Sequence, residues 1–133
     1  MDSKARNAML DCTRDSDAER VSFGQVIGRL AEAGVDRYHA DLQRAEKVYY
    51  MPDGTSLTVP TEPVAAPFAA TFSAPGVDAA VRAVQAQQIR YGEFCRRIAE
   101  AGCVGYLVSL CGRRAVYYGR SGETHVEPFP GAR

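Results

Sequence analysis

Residues 23–34, FGQVIGRLAEAG, return as residues 91–102, YGEFCRRIAEAG, and this echo decides how the chain is built. An internal repeat is sought first, because missing one misreads the whole architecture. Displacing the sequence by 68 positions aligns residues 23–60 with 91–128 without a gap, and 13 of the 38 pairs are identical. Among them are Gly34/Gly102, Tyr38/Tyr106, Tyr49/Tyr117, Tyr50/Tyr118, Gly54/Gly122 and Pro60/Pro128. Turn glycines and strand aromatics are kept together, which predicts a tandem duplication.

Each copy opens with a helix. Phe23, Val26, Ile27, Leu30 and Ala31 follow the i, i+3, i+4, i+7, i+8 pattern of one apolar stripe, and Tyr91, Phe94, Cys95, Ile98 and Ala99 repeat it. Ser22 and Gln25 form a capping-box pattern at the first start, and Gly34 and Gly102 stand where a left-handed C-terminal cap is expected. After each glycine the period changes to two. RYHADLQ and GYLVSLC alternate, KVYYM and AVYYG follow one turn, and TSLTV and ETHVE follow the glycine-bearing turns PDG and RSG. The unit is a helix followed by a three-strand meander.

A further amphipathic stretch precedes each unit, at about residues 3–14 and 77–89, while residues 61–76 are rich in proline and alanine and predict an extended connector. Repeat 1 thus spans about 1–60 and repeat 2 about 77–130. Neither buries its helices and strands alone, so the expectation is one α+β domain over residues 1–133. Its two layers would be helices and a mostly antiparallel sheet of roughly six strands.

At 133 residues, with 16 basic and 16 acidic side chains, the chain lacks the excess positive charge that draws proteins to nucleic acid or anionic lipid. The opening MDSKARNAMLDCTRDSDAER has no apolar core, and no run of about 18 apolar residues follows, so a soluble cytoplasmic protein is expected. Cys12, Cys95, Cys103 and Cys111 form no CxxC pair, which reads as small buried hydrophobes rather than a redox or zinc motif. No cofactor and no metal site are expected. Arg90, Arg96, Arg97, Arg113, Arg114 and Arg120 make residues 90–120 basic, but no P-loop, Rossmann or RNA-recognition pattern accompanies them.

The segments AGVDRYHADLQRAEKVYYMPDG and FCRRIAEAGCVGYLVSLCGRRAVYYGRSGETHVEPFP resemble small bacterial proteins of about 130 residues labelled phage envelope protein. The likeness rests on Ala33, Gly34, Val35 and Tyr38, on Tyr49, Tyr50, Asp53 and Gly54, on Phe94 and Cys95, and on Glu127 and Pro130. It runs over nearly the whole chain after about residue 20 and departs at Arg120-Ser121. That family has no assigned function, so the resemblance implies a fold and no catalytic residues.

Candidate site residues therefore come from the chain itself. His39 and Asp41 share one strand face with Arg37, a spacing that suits a general base or a pair of ligands, although a solvated sheet face is the simpler explanation of the row. His125 between Glu123 and Glu127 is a second such set. Each tyrosine pair sends one ring to the core and one to the opposite face. Taking Tyr49 and Tyr117 as the outward rings gives a ligand or partner surface of Arg37, His39, Tyr49 and Tyr117, and the reversed choice gives Tyr50 and Tyr118. The reading ranked first is a non-enzymatic binding module using the sheet face or the cleft between repeats, with a small molecule, a protein or a second copy as partner. The alternatives are a small hydrolase or isomerase using His39/Asp41 or His125/Glu127, and a phage-derived assembly protein.

Overall fold

The computed structural model describes residues 1–131 and contains four helices and one six-stranded antiparallel sheet, an α+β fold. In chain order the elements are α1 (Ser3–Asp17), α2 (Phe23–Glu32), β1 (Arg37–Asp41), β2 (Glu46–Tyr50), β3 (Ser56–Pro60), α3 (Ala74–Gln85), α4 (Tyr91–Glu100), β4 (Cys103–Ser109), β5 (Arg114–Gly119) and β6 (Thr124–Pro128). The connector is shorter than its composition suggested, because Ser73 caps α3 through the Gly76 amide and Pro75 sits in the first turn, where a missing N–H costs nothing.

The sheet order is β3-β2-β1-β4-β5-β6. β1 and β4 pair in the centre, and each meander then runs outward to its own edge. Backbone exceptions also fall 68 residues apart: Glu19 and Gln87, Gly34 and Gly102, Ala45 and Arg113, Gly54 and Gly122 all have positive φ. The α2 start carries the full capping box of Ser22 and Gln25. Arg90 gives α4 no such bond; instead the Glu19 carboxylate, from the α1–α2 turn, accepts from the Gly92 amide.

All four helices lie on one side of the sheet. That side buries Tyr38 and Ala40 of β1, Tyr49 of β2, Val59 of β3, Tyr106 and Val108 of β4, and Ala115 and Tyr117 of β5 against Met9, Cys12, Leu30, Val77, Val81, Phe94 and Ile98. Four tyrosine rings run through this core, with centroids 5.2 Å apart for Tyr38–Tyr49 and for Tyr106–Tyr117, and 6.4 Å for Tyr38–Tyr106. Tyr49 bonds Thr13 at 2.6 Å and Tyr106 bonds Tyr91 at 3.1 Å, so these phenol oxygens enter the core with partners.

Candidate functional site

Register decides which residues share the other, uncovered face. His39 stands opposite Val48 on one side and Leu107 on the other; Leu107 faces Val116, and Val116 faces Val126. A mainly apolar row, Val48–His39–Leu107–Val116–Val126, therefore crosses five strands with no helix over it, and Val126 is 45% exposed. Parallel to it on one side run Tyr50, Arg37, Ser109 and Arg114; on the other run Glu46, Asp41, Gly105 and Tyr118. Arginines flank the apolar row along one margin and carboxylates along the other.

Two contacts shape this face. The Arg37 guanidinium lies 4.2 Å from the Tyr50 ring centre, a cation–π geometry, and also pairs with Asp36 at 2.8 Å. The His39 imidazole stacks on Tyr118 with centroids 5.8 Å apart, and its Nε2 meets the Tyr118 oxygen at 2.7 Å. Tyr118 belongs to β5 and His39 to β1, so the phenol spans β4 between them. It does so over Gly105, where a Cβ would lie 2.5 Å from the Tyr118 oxygen. Partial burial raises the Tyr118 pKa, and the nearby Asp41 charge adds to the effect.

The structure corrects the face assigned to the tyrosine pairs. Because Tyr38 pairs with Tyr49, Arg37 shares its face with Tyr50 rather than Tyr49. Tyr49 and Tyr117 are 0% and 7% exposed beneath the helices, so the alternative pair, Tyr50 and Tyr118, joins Arg37 and His39. Burial also lifts the Tyr49 and Tyr117 pKa values far above the ordinary range. His39 and Asp41 do share a face, yet the Asp41 carboxylate accepts from the Gln43 and Arg44 amides and so builds the β1–β2 turn.

His125 and His39 do not converge, since they lie on opposite faces. His125 and Glu127 point to the helix side, where they meet Asp78 and Arg82 of α3; Glu123 lies outside this group, in the exposed turn before β6. The His125 Nε2 is 3.5 Å from Asp78 Oδ1 and 3.6 Å from Glu127 Oε1, and Arg82 pairs with both carboxylates. Asp78 and Arg82 escaped the sequence reading because they lie more than 40 residues upstream, on the polar side of a helix. A charged pair four apart on a helix looks like surface solvation.

Lys47 is a further residue that sequence did not single out. It is 3% exposed, with its ammonium 5.6 Å from the Tyr38 ring centre and 5.0 Å from that of Tyr91. No carboxylate lies within ion-pair distance of it among the described residues. Burial holds its pKa below the usual lysine value, with Cys95 and Asp17 opposing that shift. Strand alternation alone carried the signal, because Lys47 and Tyr49 share a face.

A model of the family described as "Protein of unknown function (DUF1398)" matches residues 16–127. The chain belongs to this family. The matched segment of this DUF1398 chain contains the whole uncovered face and the Asp78–His125–Glu127 group, and leaves out most of α1. No curated protein matches the chain. The description attaches no activity to DUF1398 chains. None of the described helices is long and apolar enough to cross a membrane.

Proposed function

We propose that this chain is a non-catalytic interaction module whose working surface is the uncovered face of the sheet. One observation carries the reading: an apolar row across five strands, left bare by all four helices, runs between an arginine margin and a carboxylate margin. A sheet face of this kind gains by burial, at about 25 cal/mol per Å² of apolar surface removed from water. Its flanking charges set the orientation of whatever covers it.

A second copy of the chain fits that pattern. A twofold axis laid along the apolar row turns the arginine margin of one copy onto the carboxylate margin of the other, which sets Arg37 opposite Asp41. An axis perpendicular to the row would oppose like charges. Open placement of His39, with its Nε2 committed to Tyr118 and the Asp41 carboxylate committed to a turn, favours recognition over acid–base chemistry. On the same reading the two halves descend from one helix-helix-meander unit, supported by the 13 identities and the paired positive-φ positions. Four free cysteines suit a reducing compartment, in keeping with a cytoplasmic site of action.

Sedimentation at high micromolar concentration tests the proposal. The wild-type chain is expected as a dimer, Leu107→Asp and Arg37→Asp as folded monomers, and the double variant Arg37→Asp with Asp41→Arg as a dimer again. A wild-type monomer removes the second copy as occupant. Variants that dimerise as well as wild type move the interface elsewhere.

A further inference from the structure

The edge strand β6 and helix α3 bring together Asp78, His125 and Glu127, one ligand atom from each within 4.8 Å of the others. Residue types alone do not make this a site, since a histidine between carboxylates is commonly an ion-pair cluster. Two features argue otherwise. The His125 Nε2 is enclosed and has no hydrogen-bond partner, and its separations of 3.5 and 3.6 Å from the two carboxylate oxygens are too long for N–H···O bonds. They match instead the spacing of ligands around one ion: bonds of about 2.0–2.1 Å at tetrahedral angles place neighbouring ligand atoms about 3.3 Å apart.

The other half of the molecule is an internal control. Sixty-eight residues before Asp78, Arg82, His125 and Glu127 stand Leu10, Arg14, Leu57 and Val59. α1 packs on β3 there as α3 packs on β6, so the corner folds with three apolar side chains. The arginine is common to both halves, and Arg14 pairs with Asp11 and Asp15 along its own helix. Arg82 therefore does not explain why the three other positions became Asp, His and Glu. A buried imidazole nitrogen without a partner costs stability, and a corner that needs only packing has no use for it.

We propose that Asp78, His125 and Glu127 bind a divalent transition-metal ion of the zinc class, through His125 Nε2 and one carboxylate oxygen from each acidic residue. This departs from the sequence expectation of no metal. An imidazole with two carboxylates is a borderline nitrogen–oxygen set suited to zinc, and Asp78 is half-exposed, which gives an ion a route in from solvent. Arg82 balances the carboxylates in the metal-free chain and competes with the ion for Glu127. Binding would clamp α3 to the sheet edge, and it stands independently of the interaction proposed for the opposite face.

The test is titration of the chelator-stripped full chain with Zn²⁺ by calorimetry and with Co²⁺ by visible absorption. One equivalent is expected to bind, with the d–d bands of a tetrahedral site and no thiolate-to-cobalt band. His125→Gln and Asp78→Asn should each weaken binding by about tenfold or more. Arg82→Gln should tighten it, because a competing cation is removed. Circular dichroism checks that the variants fold; should His125→Gln unfold, Asp78→Asn, on the helix surface, decides alone. Absence of stoichiometric binding, binding unchanged in both ligand variants, or binding lost in Cys111→Ser would each overturn the site.

Discussion

The two halves of the sheet, β1–β3 with their helices and β4–β6 with theirs, share backbone and turn geometry but divide the polar chemistry between them. The first half hides a lysine at residue 47 where the second has Ala115, and it bonds its core tyrosine Tyr49 to Thr13 where the second has Val81. The second half carries Asp78, His125 and Glu127 where the first has Leu10, Leu57 and Val59. Positions that keep a tyrosine or a glycine in both halves are what the fold requires. Positions that differ in polarity are where the two halves part chemically.

The comparison breaks most sharply at its turn glycines. Gly34 and Gly102 have φ of 81° and 82°, but a Cβ on Gly34 would meet nothing closer than the Met51 methyl at 3.9 Å, whereas one on Gly102 would drive into the Thr71–Phe72 backbone of the connector, 2.8 Å from the Phe72 Cα. Gly34→Ala should cost about 1–2 kcal/mol, the left-handed penalty alone. Gly102→Ala should cost about 3 kcal/mol or more, since the connector must move as well. Urea unfolding of the two variants measures the difference, and equal losses would show that the connector yields freely.

Next in size is Lys47. Replacing this buried ammonium by methionine, of similar length, should stabilise the chain by about 1–3 kcal/mol. The effect has a pH signature. With its folded pKa below the ordinary 10.5, Lys47 imposes its full penalty below the folded value, and the penalty shrinks as pH rises from there toward 10.5. The buried thiols and tyrosines, whose pKa values are raised, cost stability above their ordinary 9.0 and 10.0, and they do so in the wild type and in Lys47→Met alike. The stability gap between Lys47→Met and the wild type should therefore narrow as pH rises toward 10. Parallel pH profiles would mean that Lys47 stays charged and solvated.

A smaller difference is expected at Thr13. Thr13→Val gives the first half the residue type of the second and leaves the buried Tyr49 hydroxyl without its partner, at a cost of about 1–2 kcal/mol in denaturant unfolding. Thr13→Val combined with Tyr49→Phe should recover most of that loss. The cysteines test packing rather than energy. Burial pushes the Cys95 and Cys103 thiols up to about 11, and Cys12 is also buried and raised, so a thiol reagent at neutral pH should label Cys111 alone until the chain unfolds. Early labelling of Cys95 would indicate that α4 opens readily.

How far the residues alone revealed all this follows from what each signal encodes. Helix stripes, cap residues and glycine turns are local, so the elements and the six-stranded antiparallel sheet were legible from periodicity. The face of Tyr49 against Tyr50 was not, because two adjacent tyrosines satisfy the alternation either way and only the pairing with Tyr38 settles it. Gly105 enters the sequence pattern only as the first residue of the alternating GYLVSLC. Its purpose, to let Tyr118 reach His39 across β4, depends on a neighbour beyond the sequence window. Asp78 was invisible as a companion of His125 because only tertiary packing, which no periodicity specifies, sets α3 against β6.

The closing prolines of the two meanders, Pro60 and Pro128, reach beyond their own halves. They end β3 and β6, and these five-residue strands are the two borders of the sheet. A proline there has no N–H to offer an incoming strand, and a short border gives that strand little to follow. Each border thus offers an incoming strand one donor fewer than its length would allow. If the uncovered face pairs two copies as proposed, association would end at a closed pair, and a concentrated solution of the chain should stay clear where a sheet with fully open borders would lengthen into fibres.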